Sequence, residues 1–95
     1  MLERDVEEYL RKEVEMLGGR AYKFVSPGRR NVPDRLVVFP GGTMVFAEVK
    51  KPGETPSDAQ LREHERLRKL GCCVYGCIDS KQAVDRMINE VAPLL

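Results

Sequence analysis

Nowhere in the 95-residue sequence is there a run of the roughly 20 apolar residues that a membrane-spanning helix needs. The charged opening Met1-Leu2-Glu3-Arg4-Asp5 also lacks the apolar stretch of a signal peptide. Excess charge of one sign is missing too. A formal net charge of +1 excludes a chain that coats polyanions indiscriminately, so any surface for them must be a local patch. The 3 cysteines, Cys72, Cys73 and Cys77, are an odd number without a secretory signal, and no disulfide framework is expected of them. They do not read as a zinc site with His64 either, because Cys72 and Cys73 would point to opposite faces of a strand and no CxxC spacing occurs. Buried, reduced strand cysteines are expected. The absence of internal repeats, low-complexity tracts and a Walker-type phosphate loop removes solenoids and any nucleotide cofactor. What remains is a soluble, cytoplasmic chain.

Its length makes residues 1–95 a single domain. A domain this small buries only about two-thirds of the surface its unfolded chain exposes, so a thin core completed by a second copy in a homodimer is expected. Leu2, Val6, Tyr9, Leu10, Val14 and Leu17 recur at helical spacing, and Gly18-Gly19 stops the helix. Arg20 to Val25 alternates as an edge strand. Asp34 to Phe39 and Met44 to Lys50 are apolar on both parities, which marks central strands covered on both sides by helices or a partner. Lys51 to Pro56 is a linker. Ser57 caps a helix running to about Leu70, with Ala59, Leu61, Leu67 and Leu70 on a stripe shared with Gln60 and His64. Cys72 to Ile78 reads as a last strand, and Ser80 caps a final helix bearing Ala83, Val84, Met87, Ile88 and Val91. The order is α-β-β-β-α-β-α, an α/β fold with a central mixed sheet flanked by helices.

Charge is concentrated where these strands meet. Glu48 and Lys50 leave the same side of their strand, with Val49 pointing the other way. A hairpin folding back at Gly41-Gly42 returns them to the neighbourhood of Asp34. Two carboxylates a few ångströms apart repel unless a proton or a divalent cation lies between them, and Mg²⁺ needs only one or two protein carboxylates. A cation there makes water a better nucleophile, and a neighbouring lysine can orient or deprotonate that water or offset charge on a phosphate. The implied reaction is phosphodiester hydrolysis.

This chemistry constrains the hairpin. Opposite residues of an antiparallel pair share a face, so a two-residue Gly41-Gly42 loop would send Asp34 and Glu48 to opposite faces. A three-residue loop, Gly41-Gly42-Thr43, or a bulge is therefore expected.

The segment Ser26-Pro27-Gly28-Arg29-Arg30-Asn31-Val32-Pro33-Asp34-Arg35, followed at a fitting distance by Glu48-Val49-Lys50-Lys51-Pro52-Gly53, resembles the VRR-NUC family of the PD-(D/E)xK nuclease superfamily in its small stand-alone form. Gln60, Arg66-Leu67-Arg68 and Asp79-Ser80 extend the resemblance over nearly the whole chain. It implies a restriction-endonuclease-like fold and a Mg²⁺- or Mn²⁺-dependent endodeoxyribonuclease of phage or prokaryotic origin. It further implies structure-specific cleavage of branched DNA such as Holliday junctions. In that reading Asp34, Glu48 and the Val49 carbonyl are metal ligands and Lys50 assists water. A nickase, flap-cleaving or restriction-type enzyme with the same site is the nearest alternative, and a catalytically silent DNA-binding module the more distant one.

Further residues have two readings each. Glu3 and Glu13 both fall inside the first helix's apolar stripe but stand about 15 Å apart along it, so they cannot share one site. The resemblance selects Glu3 as a further metal-site residue, with Glu7 as fallback; otherwise Glu3 simply favours the helix N-terminus. Arg29 and Arg30, with Ser26 and Lys51, form the expected DNA-binding patch, since a guanidinium fork suits phosphate oxygens. Gln60 either joins the catalytic surroundings, as the resemblance implies, or serves as the capping-box partner of Ser57. His64 reads as a packed or interface histidine in preference to a general base.

Overall fold

Val6, Leu10 and Val14 lie four residues apart, and in the computed structural model, which describes residues 1–95, all three are buried on one face of helix α1 (Glu3–Met16). Asp5 Oδ2 accepts a hydrogen bond from the Leu2 N–H at 2.7 Å, satisfying a donor at the helix start. Gly18, at φ +87°, ends the helix in the left-handed conformation open to glycine. At Gly19 the requirement is space, because a Cβ there would stand 2.5 Å from the Val38 carbonyl oxygen.

Four strands follow, β1 (Arg20–Lys23), β2 (Arg35–Val38), β3 (Met44–Val49) and β4 (Val74–Ile78), in the sheet order β1-β2-β3-β4. The first three are antiparallel in sequence, and β4 runs parallel to β3 after a crossover through helix α2 (Asp58–Lys69). Helix α3 (Lys81–Val91) begins at Ser80, whose Oγ accepts the Ala83 N–H at 3.1 Å. The expected element order is present. No helix is long and apolar enough to cross a membrane.

One face of the sheet carries Val37, Phe39, Val45, Ala47 and Val49, packed with Val6, Leu10 and Val14 of α1 and Val84, Met87 and Val91 of α3 into a continuous buried cluster. The other face is covered less completely than the strand composition suggests. Helix α2 packs against β4, leaving Met44 57% and Tyr22 50% exposed. Leu36, Met44, Phe46, Gly71, Cys72 and Cys73 line an open apolar groove of about 480 Å³ there.

The α2 stripe also differs from expectation. Its fully buried side chain is His64, whereas Leu61 and Leu70 are 45% and 80% exposed, because the helix packs mainly over β4 and leaves these leucines beyond the sheet. The cysteines are free, as expected, but not buried: Cys73 is exposed, and Cys72 and Cys77 are half-buried. The reason is that the strand starts at Val74 on the sheet edge, with the Cys73 carbonyl accepting from the Phe46 N–H at its margin.

The β2–β3 register pairs Arg35 with Ala47 and Val38 with Met44. Carried one residue further along both strands, it sets Asp34 across from Glu48 on a shared face. The loop does contain three residues, but they are Pro40, Gly41 and Gly42. Thr43 is extended and its carbonyl accepts from the Phe39 N–H at 2.8 Å, so it belongs to the ladder, while Pro40 has no N–H to give. Gly41 and Gly42 take φ values of +86° and +87°, which lets so short a connection close.

Candidate active site

Asp34 enters β2 from the loop after β1, and its Oδ1 accepts a hydrogen bond from the Val49 N–H at 2.9 Å. Glu48 is only 3% exposed. Burial pushes the Asp34 carboxyl up to about 6 against the opposing Val49 hydrogen bond, and the charges of Glu48 and then Glu7 push the same way. Burial also raises Glu48, opposed chiefly by the Lys50 charge. Each carboxyl therefore bears on the titration of the other, and Asp34 is the one raised to about 6. Two carboxyls raised in this way favour a proton or a positive charge beside them.

Lys50 follows two residues after Glu48, on the same parity, with its side chain mostly buried and Nζ 3.7 Å from Glu54 Oε1. Glu54 also lies 3.9 Å from Lys51 Nζ, so one linker carboxylate stands beside both lysines. No feature of the sequence pattern had singled Glu54 out.

Helix α1 divides its glutamates. Arg35 is buried beneath it and donates from Nη1 to the Ala21 carbonyl at 3.1 Å and from Nη2 to Glu7 Oε2 at 2.6 Å. Glu7 is thereby engaged. Glu3, one turn earlier, has no side-chain partner, and its charge is felt at Glu48.

From the opposite side, His64 of α2 reaches Glu48, with Nε2 3.1 Å from Oε1 and the ring fully enclosed. Burial, then the charges of Arg68 and Lys50, lower its pKa, so the ring is neutral and Nε2–H is the donor. His64 is packed, as expected, but packed onto Glu48; its place among leucines on the α2 stripe was the available signal. Gln60 forms the capping box: its Oε1 accepts the Ser57 N–H at 2.9 Å, and Ser57 Oγ accepts the Gln60 N–H at 3.1 Å. Its carbonyl oxygen is thus occupied by the cap, and its amide donors are not.

Arg29 and Arg30 are exposed on the loop leading into Asp34, where Ser26 is half-buried and its carbonyl accepts the Arg29 N–H at 3.3 Å. Asn31 takes φ +65°, a left-handed conformation that asparagine tolerates, and Pro33 is buried. The loop is anchored immediately before Asp34, with both arginines outward.

No group of three or more His, Cys, Asp and Glu side chains has ligand spacing, so a closed zinc-type cage is not what the fold builds. Two adjacent hard-oxygen carboxylates suit Mg²⁺ or Mn²⁺, which keep water and substrate oxygens as further ligands.

The mixed sheet, the carboxylate pair at the hairpin's open end and the lysine two residues beyond define a restriction-endonuclease-like α/β protein. No protein-family model matches the chain. A protein named Putative nuclease p44, from Acyrthosiphon pisum secondary endosymbiont phage 1, is 59% identical over 69 residues, which are 73% of this chain and 74% of that protein. A solved structure described as a VRR_NUC domain has a TM-score of 0.84 and 41% identity, covering 92% of this chain and 94% of its own. The chain belongs to the VRR-NUC family.

Proposed function

We propose that residues 1–95 form one VRR-NUC-type nuclease domain, a Mg²⁺- or Mn²⁺-dependent endonuclease that hydrolyses phosphodiester bonds in branched DNA as a homodimer. The observation that carries the reading is the Asp34–Glu48 pair, two carboxyls held together with their pKa values raised and Lys50 alongside. The nuclease name of the phage relative agrees with it.

Asp34 and Glu48 hold the cation with the Val49 carbonyl as a further ligand, and Glu3 adds negative charge near the pair without standing at ligand spacing. The cation supplies Lewis-acid stabilisation of phosphoryl oxygens and a lower pKa for water. Lys50 orients the attacking water or offsets charge that develops on the phosphate. Arg29, Arg30, Ser26 and Lys51 take the flanking phosphates. The open apolar groove lined by Leu36, Met44 and Phe46 supports a second copy as its partner. Two sites related by a two-fold axis fit two strands of a junction.

The test incubates the protein and Lys50→Ala with labelled four-way junctions, flaps, duplex and single strands, with and without Mg²⁺ or Mn²⁺. Metal-dependent cleavage of junctions that Lys50→Ala abolishes is expected. Activity that survives both Lys50→Ala and metal removal overturns the mechanism, and equal cutting of unbranched duplex overturns the substrate.

A further inference from the structure

We infer that His64 is a positioning residue for the cation site, its Nε2–H holding one oxygen of Glu48 so that the carboxylate is fixed beside Asp34 before any cation arrives. The inference rests on the reading of Asp34 and Glu48 as the cation pair.

Three observations carry it. First, His64 Nε2, 3.1 Å from Glu48 Oε1, is the side-chain donor that reaches this carboxylate, while the nearest carboxylate to Lys50 is that of Glu54 at 3.7 Å. A glutamate side chain loses rotamer freedom on being fixed, and the hydrogen bond removes that freedom within the fold.

Second, the sheet is reshaped to seat the ring. Between the pairs Ala47↔Tyr75 and Val49↔Ile78, Gly76 and Cys77 of β4 stand opposite the single residue Glu48 of β3, a bulge at the position His64 addresses. A Cβ on Gly76 would lie 3.0 Å from His64 Nδ1, so the ring packs closely against the space the glycine leaves.

Third, the ring is retained at a cost. His64 Nδ1 is buried with no hydrogen-bond partner, whereas an apolar side chain of similar volume would fill the seat without an orphaned acceptor. A histidine serving packing alone would be a poor choice here. One whose other nitrogen orients a metal-binding carboxylate fits the observed role of outer partners, whose loss typically weakens metal affinity 10- to 100-fold.

The test is Mn²⁺ titration by calorimetry on the intact chain without DNA, beside thermal melting of the metal-free protein. His64→Leu removes the donor at similar volume, His64→Gln places an amide N–H near the position of Nε2, and His64→Asn is too short to reach Glu48. His64→Leu and His64→Asn should bind Mn²⁺ at least 10-fold more weakly, with His64→Gln within about threefold of the unaltered chain, and the metal-free melting temperature of His64→Leu should not fall. If His64→Leu does not fold, the Gln and Asn variants decide. Equal Mn²⁺ affinity of those two, or unaltered affinity in His64→Leu, overturns the positioning role. In either case loss of binding in Glu48→Gln leaves the cation pair standing, whereas an unaltered chain that binds no Mn²⁺ overturns both.

Discussion

Glu7 Oε2 receives Arg35 Nη2 at 2.6 Å, and this one contact separates the tasks of the two glutamates at the start of α1. Arg35 is almost wholly buried, so its charge depends on Glu7. Glu7→Ala should cost about 2 kcal/mol in chemical denaturation, less than for a fully buried pair because Glu7 is 25% exposed. Glu3→Gln should shift stability by no more than about 0.5 kcal/mol while weakening Mn²⁺ binding, since Glu3 supports no buried partner. The opposite pattern would exchange the two roles.

A carboxyl raised to about 6 in the folded protein and ordinary when unfolded makes stability depend on pH in a definite sense. Between the ordinary value of 3.8 and about 6 the folded chain keeps a proton that the unfolded chain releases. Asp34 thus favours folding at low pH, and the advantage is lost as pH rises through about 6. In EDTA, the melting temperature of Asp34→Asn minus that of the unaltered protein should grow from pH 4.5 to 7 and then level off. A difference that is constant across that range would show that Asp34 titrates normally.

The hairpin geometry was legible because chemistry and the alternation of strand side chains pose the same question, which an odd loop or a bulge answers, and the chain uses the odd loop. The loop's exact residues were not, since whether Pro40 or Thr43 joins the ladder depends on which carbonyl meets the Phe39 N–H. Periodicity likewise located α2 but misjudged its burial: counting Leu61 and Leu70 on a stripe says nothing about how much sheet lies beneath it. The His64–Glu48 contact was hidden for a further reason. It depends on the β4 bulge, and the sole sequence trace of that bulge is Gly76 in the middle of a strand.

Two glycines should respond oppositely to alanine. At Gly19 the new Cβ would meet the Val38 carbonyl at 2.5 Å, and moving backbone apart in the sheet should cost about 2–3 kcal/mol. At Gly28 nothing lies within 4 Å of the added atom, so Gly28→Ala should be neutral or slightly stabilising through the unfolded chain. Urea denaturation of both variants checks the contrast. A tolerated Gly19→Ala would mean that α1 and β2 are not pinned as closely as the structure has them.

The exposed Met44, far along its strand from Glu48, offers a clean probe of the uncovered sheet face. If this face carries the proposed dimer interface, Met44→Asp should leave the melting temperature of the fold nearly unchanged and shift sedimentation from dimer to monomer, because a carboxylate facing another apolar surface is desolvated without a partner. A dimer that survives Met44→Asp places the interface elsewhere.

Arg29 and Arg30 project from the loop that ends at Asp34, and no side chain of the protein holds either guanidinium. If they bind phosphates, each releases condensed counterions on contact, and the dependence of log affinity on log salt carries a slope of about 0.9 per phosphate on duplex arms. Arg30→Ala should weaken binding to junction, flap and duplex alike, because phosphate contacts carry no base information, and should flatten the slope by about 1. The double variant Arg29→Ala, Arg30→Ala should flatten it by about 2. Fluorescence anisotropy over a series of salt concentrations, in Ca²⁺ to suppress cleavage, reads both quantities. A slope unchanged in the double variant would move the DNA path off this loop, and a loss confined to one DNA structure would make the arginines readers of shape.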